Sequence, residues 1–223
     1  MPFLPVHSDQ PLRDIAAPYL TWGAILVCVS AHVAVAGLPF HDRAGVLQAF
    51  GFMPSALFGN SFQPALPFGL PGWLTLVTYA FVHGSNAHLI GNMVVLFVFG
   101  SAVEDRLGHR LYAVTYGAAA VVGALAEWLA GPQASQVIVG ASGAISAVLG
   151  AYIVFFPRAK IGLLLPIFVS VAVRAWAVIG GWFLFDLVML FVGEGNVAWR
   201  AHVAGFGVGV ALALAFRLVH SRN

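Results

Sequence analysis

The chain runs as long apolar stretches separated by short polar or charged ones, the pattern of a protein that crosses a bilayer repeatedly. A hydrocarbon core about 30 Å thick takes roughly 20 helical residues to span, fewer where the ends are wet or the bilayer thins. Six stretches approach that length: Tyr19 to Leu38, His88 to Val103, Leu111 to Ala130, Ser142 to Pro157, Ala175 to Val192 and Ala201 to Val219. The second and fourth are short and open on polar residues, which is tolerable where those residues face protein or a wet cavity instead of lipid. The expected architecture is an all-α bundle of six membrane-spanning helices forming one domain over residues 19–219, with a polar segment at 1–18 and a short tail at 220–223.

Two connectors carry patterns of their own. Pro39 to Gly72 is rich in Pro, Gly and Phe (Phe40, Phe50, Phe52, Phe58, Phe62 and Phe68), and it reads as a long loop lying in the outer headgroup region, where aromatics are favoured. Arg158 to Val173 is apolar enough to be an interfacial hairpin.

Composition narrows the function. Hydrophobic residues make up 61% of the 223 and charged ones 8%, with a mean hydropathy of +0.93, so the bilayer is the expected solvent. Ten Lys and Arg against eight Asp and Glu leave no basic stripe for a phosphate backbone, which excludes nucleic acid as a partner. Cys28 is the only cysteine, so neither an intramolecular disulfide nor a thiolate metal centre can form. Residues 1–18 carry Asp9, Arg13 and Asp14 and lack the positive start and short apolar core of a secretory signal, so the first apolar stretch is expected to be retained. With six spans, Arg13, Arg106, Arg110, Arg158, Lys160, Arg174, Arg217 and Arg222 fall on one side, and Arg43 and Arg200 on the other. Short cytoplasmic loops collect positive charge, so both termini are expected in the cytoplasm. The second, fourth and sixth spans then begin together at the outer face.

That shared depth matters for the polar residues found there. Gly140-Ala141-Ser142-Gly143 opens the fourth span, setting a hydroxyl at a helix start among residues that allow close approach. Ser142 is either a nucleophile or a small packing residue. His202 lies at the start of the sixth span, where Ala201, Gly205 and Gly209 form a small-residue face that matches Ser142, Ser146 and Gly150 on the fourth. A histidine inside a membrane is expensive, which makes a functional role the default, although a satisfied polar residue is the other option. His88 and Asn92, four apart, share a face at the start of the second span and can both donate hydrogen bonds to a developing oxyanion. A metal site is the rival explanation for His83 and His88, but no cysteine or nearby carboxylate completes a ligand set. His83, Ser85, Asn86 and His88 are expected to line a wet cavity near the outer face.

Taken together, Gly-x-Ser-Gly at 140–143, His-x-x-x-Asn at 88–92 and Ala-His-x-x-Gly-x-x-x-Gly at 201–209 resemble the motifs of the rhomboid intramembrane serine proteases, over about residues 75 to 216. Glu104-Asp105-Arg106-Leu107-Gly108 is similar to that family's acidic-basic loop, and Trp199-Arg200 is loosely similar to a Trp-Arg pair found elsewhere in it. The resemblance implies a rhomboid-like fold and hydrolysis of transmembrane protein substrates by a Ser142-His202 dyad with neither a third acid nor a cofactor. It also implies an oxyanion hole of His88, Asn92 and the Ser142 backbone N–H, with Ala141 beside it and Gly140, Gly143, His83 and Ser146 lining the site. A bacterial inner membrane is the implied location. The resemblance further suggests a lateral gate at the fifth span (Gly180-Gly181, Trp176, Trp182, Phe183) and a cap at 192–197, where simple packing or lipid contact is equally open.

Ser146 departs from the family pattern, in which a number of relatives carry an aromatic that packs on the catalytic histidine. Glu127 and Asp186 are the only acids well inside spans. Asp186 invites the role of third triad member, but its expected mid-span depth lies below the site, which favours pairing with another polar group or lining a cavity. Two other functional classes stay open: a catalytically silent rhomboid-like protein that binds membrane clients, and a transporter, whose inverted repeats are not apparent.

Overall fold

A computed structural model describes residues 4–58, 70–164, 170–193 and 197–221. Its helices are α1 (Tyr19–Ala36), α2 (Phe40–Phe50), α3 (Gly72–Thr78), α4 (Asn86–Ala130), α5 (Ser142–Phe155), α6 (Ala175–Val192) and α7 (Trp199–His220). Four of these, α1, α4, α6 and α7, are long and apolar enough to cross a membrane, and α5 is a shorter apolar helix. The 45-residue α4 is two helices joined end to end, broken at Gly108, whose φ of 72° is open to glycine and strained for other residues. The chain is thus a mostly helical membrane bundle.

Its axis is α5. Every residue from Gly143 to Tyr152 is buried, and the helix is walled by α4 and α7. Small residues make this possible. A Cβ built on Gly205 would strike the carbonyl oxygen of Gly143, and one on Gly209 would strike that of Ala147, so the α5 and α7 backbones touch. Lipid cannot drive helices together by the hydrophobic effect, so such close backbone packing supplies much of the attraction. By contrast, α6 buries only Ala175, Val178 and Ile179 and turns Leu184, Phe185, Val188 and Phe191 outward, as a peripheral, lipid-facing helix does.

The Glu104-Asp105 pair does not lie in a loop. It belongs to the first leg of α4, where both side chains are buried and fully employed. Asp105 accepts backbone N–H bonds from Arg13, Asp14 and Ile15, and Glu104 from Leu20 and Thr21 at the start of α1. These first-turn amides have no partner within their own helix, and a carboxylate satisfies both their hydrogen bonds and the helix dipole.

A small sheet, absent from the sequence reading, adjoins the end of α5 remote from Ser142. Strand β1 (Leu4–Ser8) pairs antiparallel with β2 (Lys160–Leu164), which pairs antiparallel with β3 (Ser170–Arg174). The hairpin expected at Arg158 to Val173 therefore exists, with its tip outside the described residues, and it recruits the N-terminal segment. The Ser8 hydroxyl meets the Tyr152 hydroxyl at 2.5 Å.

The stretch from Pro39 to Gly72 differs from the loop expected of it. It contains α2 and a 3₁₀ turn at Pro54–Ala56. Pro39 and Asp42 suit a helix start, and the Arg43 guanidinium turns back to the carbonyls of Ala36 and Leu38 at the end of α1. Phe52 is fully buried and pairs through both backbone bonds with Ile138, while Phe40 and Phe58 are exposed. Phe62 and Phe68 lie outside the described residues.

Candidate active site

Ser142 begins α5, and the turn before it is pinned on two sides. The Gly140 N–H donates to the Tyr79 carbonyl at 2.9 Å, and the Ala141 N–H donates to His83 Nε2 at 3.4 Å. Gly140 holds φ at 118°, a left-handed conformation that side chains rarely tolerate. A Cβ there would also stand 2.7 Å from His88 Nε2 and 3.6 Å from Asn92 Nδ2. The missing side chain thus lets the His88 ring pack directly against the Gly140 backbone, with the Asn92 amide beside it.

Both neighbours can donate hydrogen bonds. Asn92 is buried, and its Nδ2 has no hydrogen-bond partner among the described residues. Buried polar groups are rarely left unpaired, and an exception calls for a reason. His88 is held at the first turn of α4, where Ser85 caps the helix by accepting the His88 N–H at 3.2 Å.

On the other side of Ser142 stands His202. Its Nε2 is 2.8 Å from the Ser142 hydroxyl, and the two helices that carry the pair begin at the same end of the bundle. The opposite ring nitrogen, Nδ1, is 3.4 Å from Asp186 Oδ2. Trp199 meets the His202 ring edge-on at 5.7 Å. Trp199 was not expected beside this ring, and Asp186 was expected below it. Depth counted along an unbroken apolar stretch sets Asp186 below the site, but in the structure it lies toward the Val192 end of α6, level with the first turn of α7.

Ser146 sits one turn below Ser142 and donates to its carbonyl at 2.9 Å, so it faces its own helix rather than the His202 ring. Gly143 lies against the Ala201 backbone. Glu127 accepts the Ala201 N–H at 3.1 Å, and its other oxygen is 3.7 Å from Arg200. Since Ala198 supplies no side-chain cap, this acid from α4 satisfies the start of α7, one residue from His202.

The wet cavity expected around His83, Ser85, Asn86 and His88 is divided. Ser85 and Asn86 are exposed, Asn86 bonds to His32 at 2.7 Å, His88 is half-buried, and His83 is buried at 3% exposure. Burial, with the nearby His88 and His32, pushes the His83 imidazole down to about 4, so it is neutral at pH 7 and able to accept the Ala141 N–H. A separate cavity of about 130 Å³ opens beside Trp199, between Glu127, Gln136, Ile138, Met189 and Arg200. Of the suggested gate residues, Trp176 is exposed, Trp182 packs on Phe99 and Phe183 stacks on Phe206 of α7 at 4.1 Å. Residues 194–196 of the suggested cap lie outside the described residues.

All nine residues expected in the site are therefore gathered at one end of α5. Residues 71–218 match the Rhomboid domain, a stretch that runs from α3 to the last turn of α7 and includes every one of these residues. The chain belongs to the rhomboid family. Rhomboid proteins are integral membrane proteins, either intramembrane proteases or pseudoproteases, that act on transmembrane segments within the bilayer. This rhomboid keeps a serine and a histidine in contact, and it adds an acid behind the histidine.

Proposed function

We propose that the chain is an active intramembrane serine protease that hydrolyses peptide bonds in or near transmembrane segments. The observation that carries this reading is the 2.8 Å contact between Ser142 Oγ and His202 Nε2, with an unpartnered Asn92 amide near the turn that leads into Ser142. His202 takes the hydroxyl proton as Ser142 attacks the scissile carbonyl. The carbonyl oxygen becomes negative and turns toward His88, Asn92 and the Ser142 N–H. The protonated imidazole then gives its proton to the leaving amine, and water completes the cycle by attacking the acyl-enzyme.

A helical peptide bond is shielded by its own hydrogen bonds, so the substrate span must unwind locally, which Gly, Ala, Ser or Pro near the outer interface eases. The charge distribution supports cytoplasmic termini with the site toward the opposite face; the rhomboid resemblance suggests a bacterial inner membrane, and the run of apolar stretches a single membrane domain over residues 19–219.

The test is to purify the chain in detergent, add a single-span reporter with Gly and Ala near its outer end, and compare wild type with Ser142→Ala. Cleavage by the wild type and none by the variant is the expected result. No cleavage by a folded wild type across several reporters would instead assign the chain to the client-binding pseudoproteases.

A further inference from the structure

Helix α6 is apolar from Ala175 to Val192 except for one residue, Asp186. A carboxylate within a membrane helix is costly and marks function by default, and the first question is what it meets. It meets His202: Asp186 Oδ2 is 3.4 Å from Nδ1, with the aspartate side chain 21% exposed and the histidine 14%. The other ring nitrogen already faces the Ser142 hydroxyl at 2.8 Å. One imidazole thus bridges a hydroxyl on α5 and a carboxylate on α6.

We propose that Asp186 is a positioning residue that holds His202 in its Nδ1–H tautomer, so that the chain works as a Ser142-His202-Asp186 triad rather than a dyad. This rests on the protease reading above. The electrostatics favour one neutral tautomer. With the proton on Nε2, the Nδ1 lone pair would face the carboxylate and be repelled by it; with the proton on Nδ1, the polar N–H lies on the carboxylate's side of the ring, 3.4 Å away, and Nε2 is free to accept from Ser142. During attack, the new bond joins Ser142 Oγ to the carbonyl carbon, the carbonyl π pair moves to oxygen, and the hydroxyl proton moves to Nε2. Asp186 takes no proton. It stabilises the imidazolium until Nε2–H protonates the leaving nitrogen and the C–N bond breaks.

The surroundings leave this role open to few other groups. Ser146, where an aromatic from α5 would support the ring, is bonded to the Ser142 carbonyl. Trp199 packs against the ring edge-on but offers it no acceptor. Among the described residues, Asp186 is the acid in contact with this ring.

The experiment compares wild type, Asp186→Asn, Asp186→Glu and Ser142→Ala by the rate at which a fluorophosphonate labels Ser142, by kcat and KM on the reporter, and by ¹⁵N-histidine NMR. Fold is checked by protection of the buried Cys28 thiol. Asp186→Asn is expected to slow both labelling and kcat on the order of 10²–10⁴-fold with little change in KM, and Asp186→Glu to recover part of the loss. The His202 ring should show the Nδ1–H tautomer in wild type and lose it in Asp186→Asn. A folded Asp186→Asn that labels and cleaves at the wild-type rate would overturn the proposal. So would a wild-type ring in the Nε2–H tautomer, which decides the matter even if Asp186→Asn does not fold. A wild type that shows the Asp186-dependent tautomer but neither labels nor cleaves overturns the protease reading and leaves the positioning contact standing.

Discussion

Alanine at Gly209 should wedge α7 away from α5, and the structure gives the size of the effect. A Cβ there would lie 2.7 Å from the Ala147 Cα and closer still to the Ala147 carbonyl oxygen, all of it backbone that cannot rotate aside. Ordinary contact begins near 3.4 Å, so the helices must part by about 1 Å. Overpacking of this kind costs about 1–3 kcal/mol. For a domain of this size that lowers the midpoint of thermal unfolding by roughly 2–12 °C. His202 rides on the same helix, two turns above, and a misplacement of about 1 Å at a reacting group can cost on the order of 10²-fold in rate. Gly207 provides the control, because it faces outward with nothing within 4 Å of its would-be Cβ. There alanine should be neutral or mildly stabilising, since it is the better helix former. The assay follows Cys28, the only cysteine and fully buried, with a thiol-reactive dye during heating in detergent, all variants at one scan rate. Equal midpoints for Gly209→Ala and Gly207→Ala would refute the backbone contact on which the α5–α7 packing argument depends.

Two further outcomes follow from the turn and the cap around Ser142. Neutral His83 accepts the Ala141 N–H, and because its folded pKa of about 4 lies below the ordinary 6.5, its stabilising contribution is complete above pH 6.5 and is lost as pH falls toward 4. The limit is about 3 kcal/mol, read as a falling midpoint between pH 7 and 4 that flattens in His83→Gln; parallel slopes in the two proteins would count against it. Glu127→Ala strands the buried Ala201 N–H and should cost about 1–3 kcal/mol along with activity, whereas Glu127→Gln keeps an acceptor and most of both; equal behaviour of the two in midpoint and cleavage rate would remove Glu127 as the cap of α7.

Much of this site was legible because its signals are local. Ser142, His88 and His202 each begin an apolar stretch, and charge counting sets all three starts on one face, so their meeting follows from topology. The small-residue faces of α5 and α7 then bring two of them into contact. The sheet was not legible for the opposite reason. Residues 4–8 and 160–164 are short, weakly alternating strands far apart in sequence, and no local pattern announces such a pairing. The same holds for α2, whose polar His41, Asp42, Arg43 and Gln48 lie among aromatics that suggested an interfacial loop.

Asp186 was set aside as a partner of His202 on expected depth, and the reason bears on how the site is built. An apolar stretch fixes neither where its helix ends within the membrane nor which face turns inward, so counting residues cannot level a side chain on α6 with one on α7. The family pattern supports the histidine with an aromatic on α5, a place that Ser146 takes here, bonded to its own helix. It comes instead from two acids on different helices: Glu127 holds the first turn of α7 through the Ala201 amide, and Asp186 meets the ring itself. An aromatic packed on the ring would restrict its position but leave either tautomer available. A carboxylate restricts position and tautomer together, because Nδ1 must bring a proton to it. Replacing the one by the other therefore changes more than packing: it makes the readiness of Ser142 depend on a charge carried by α6, a helix at the edge of the bundle.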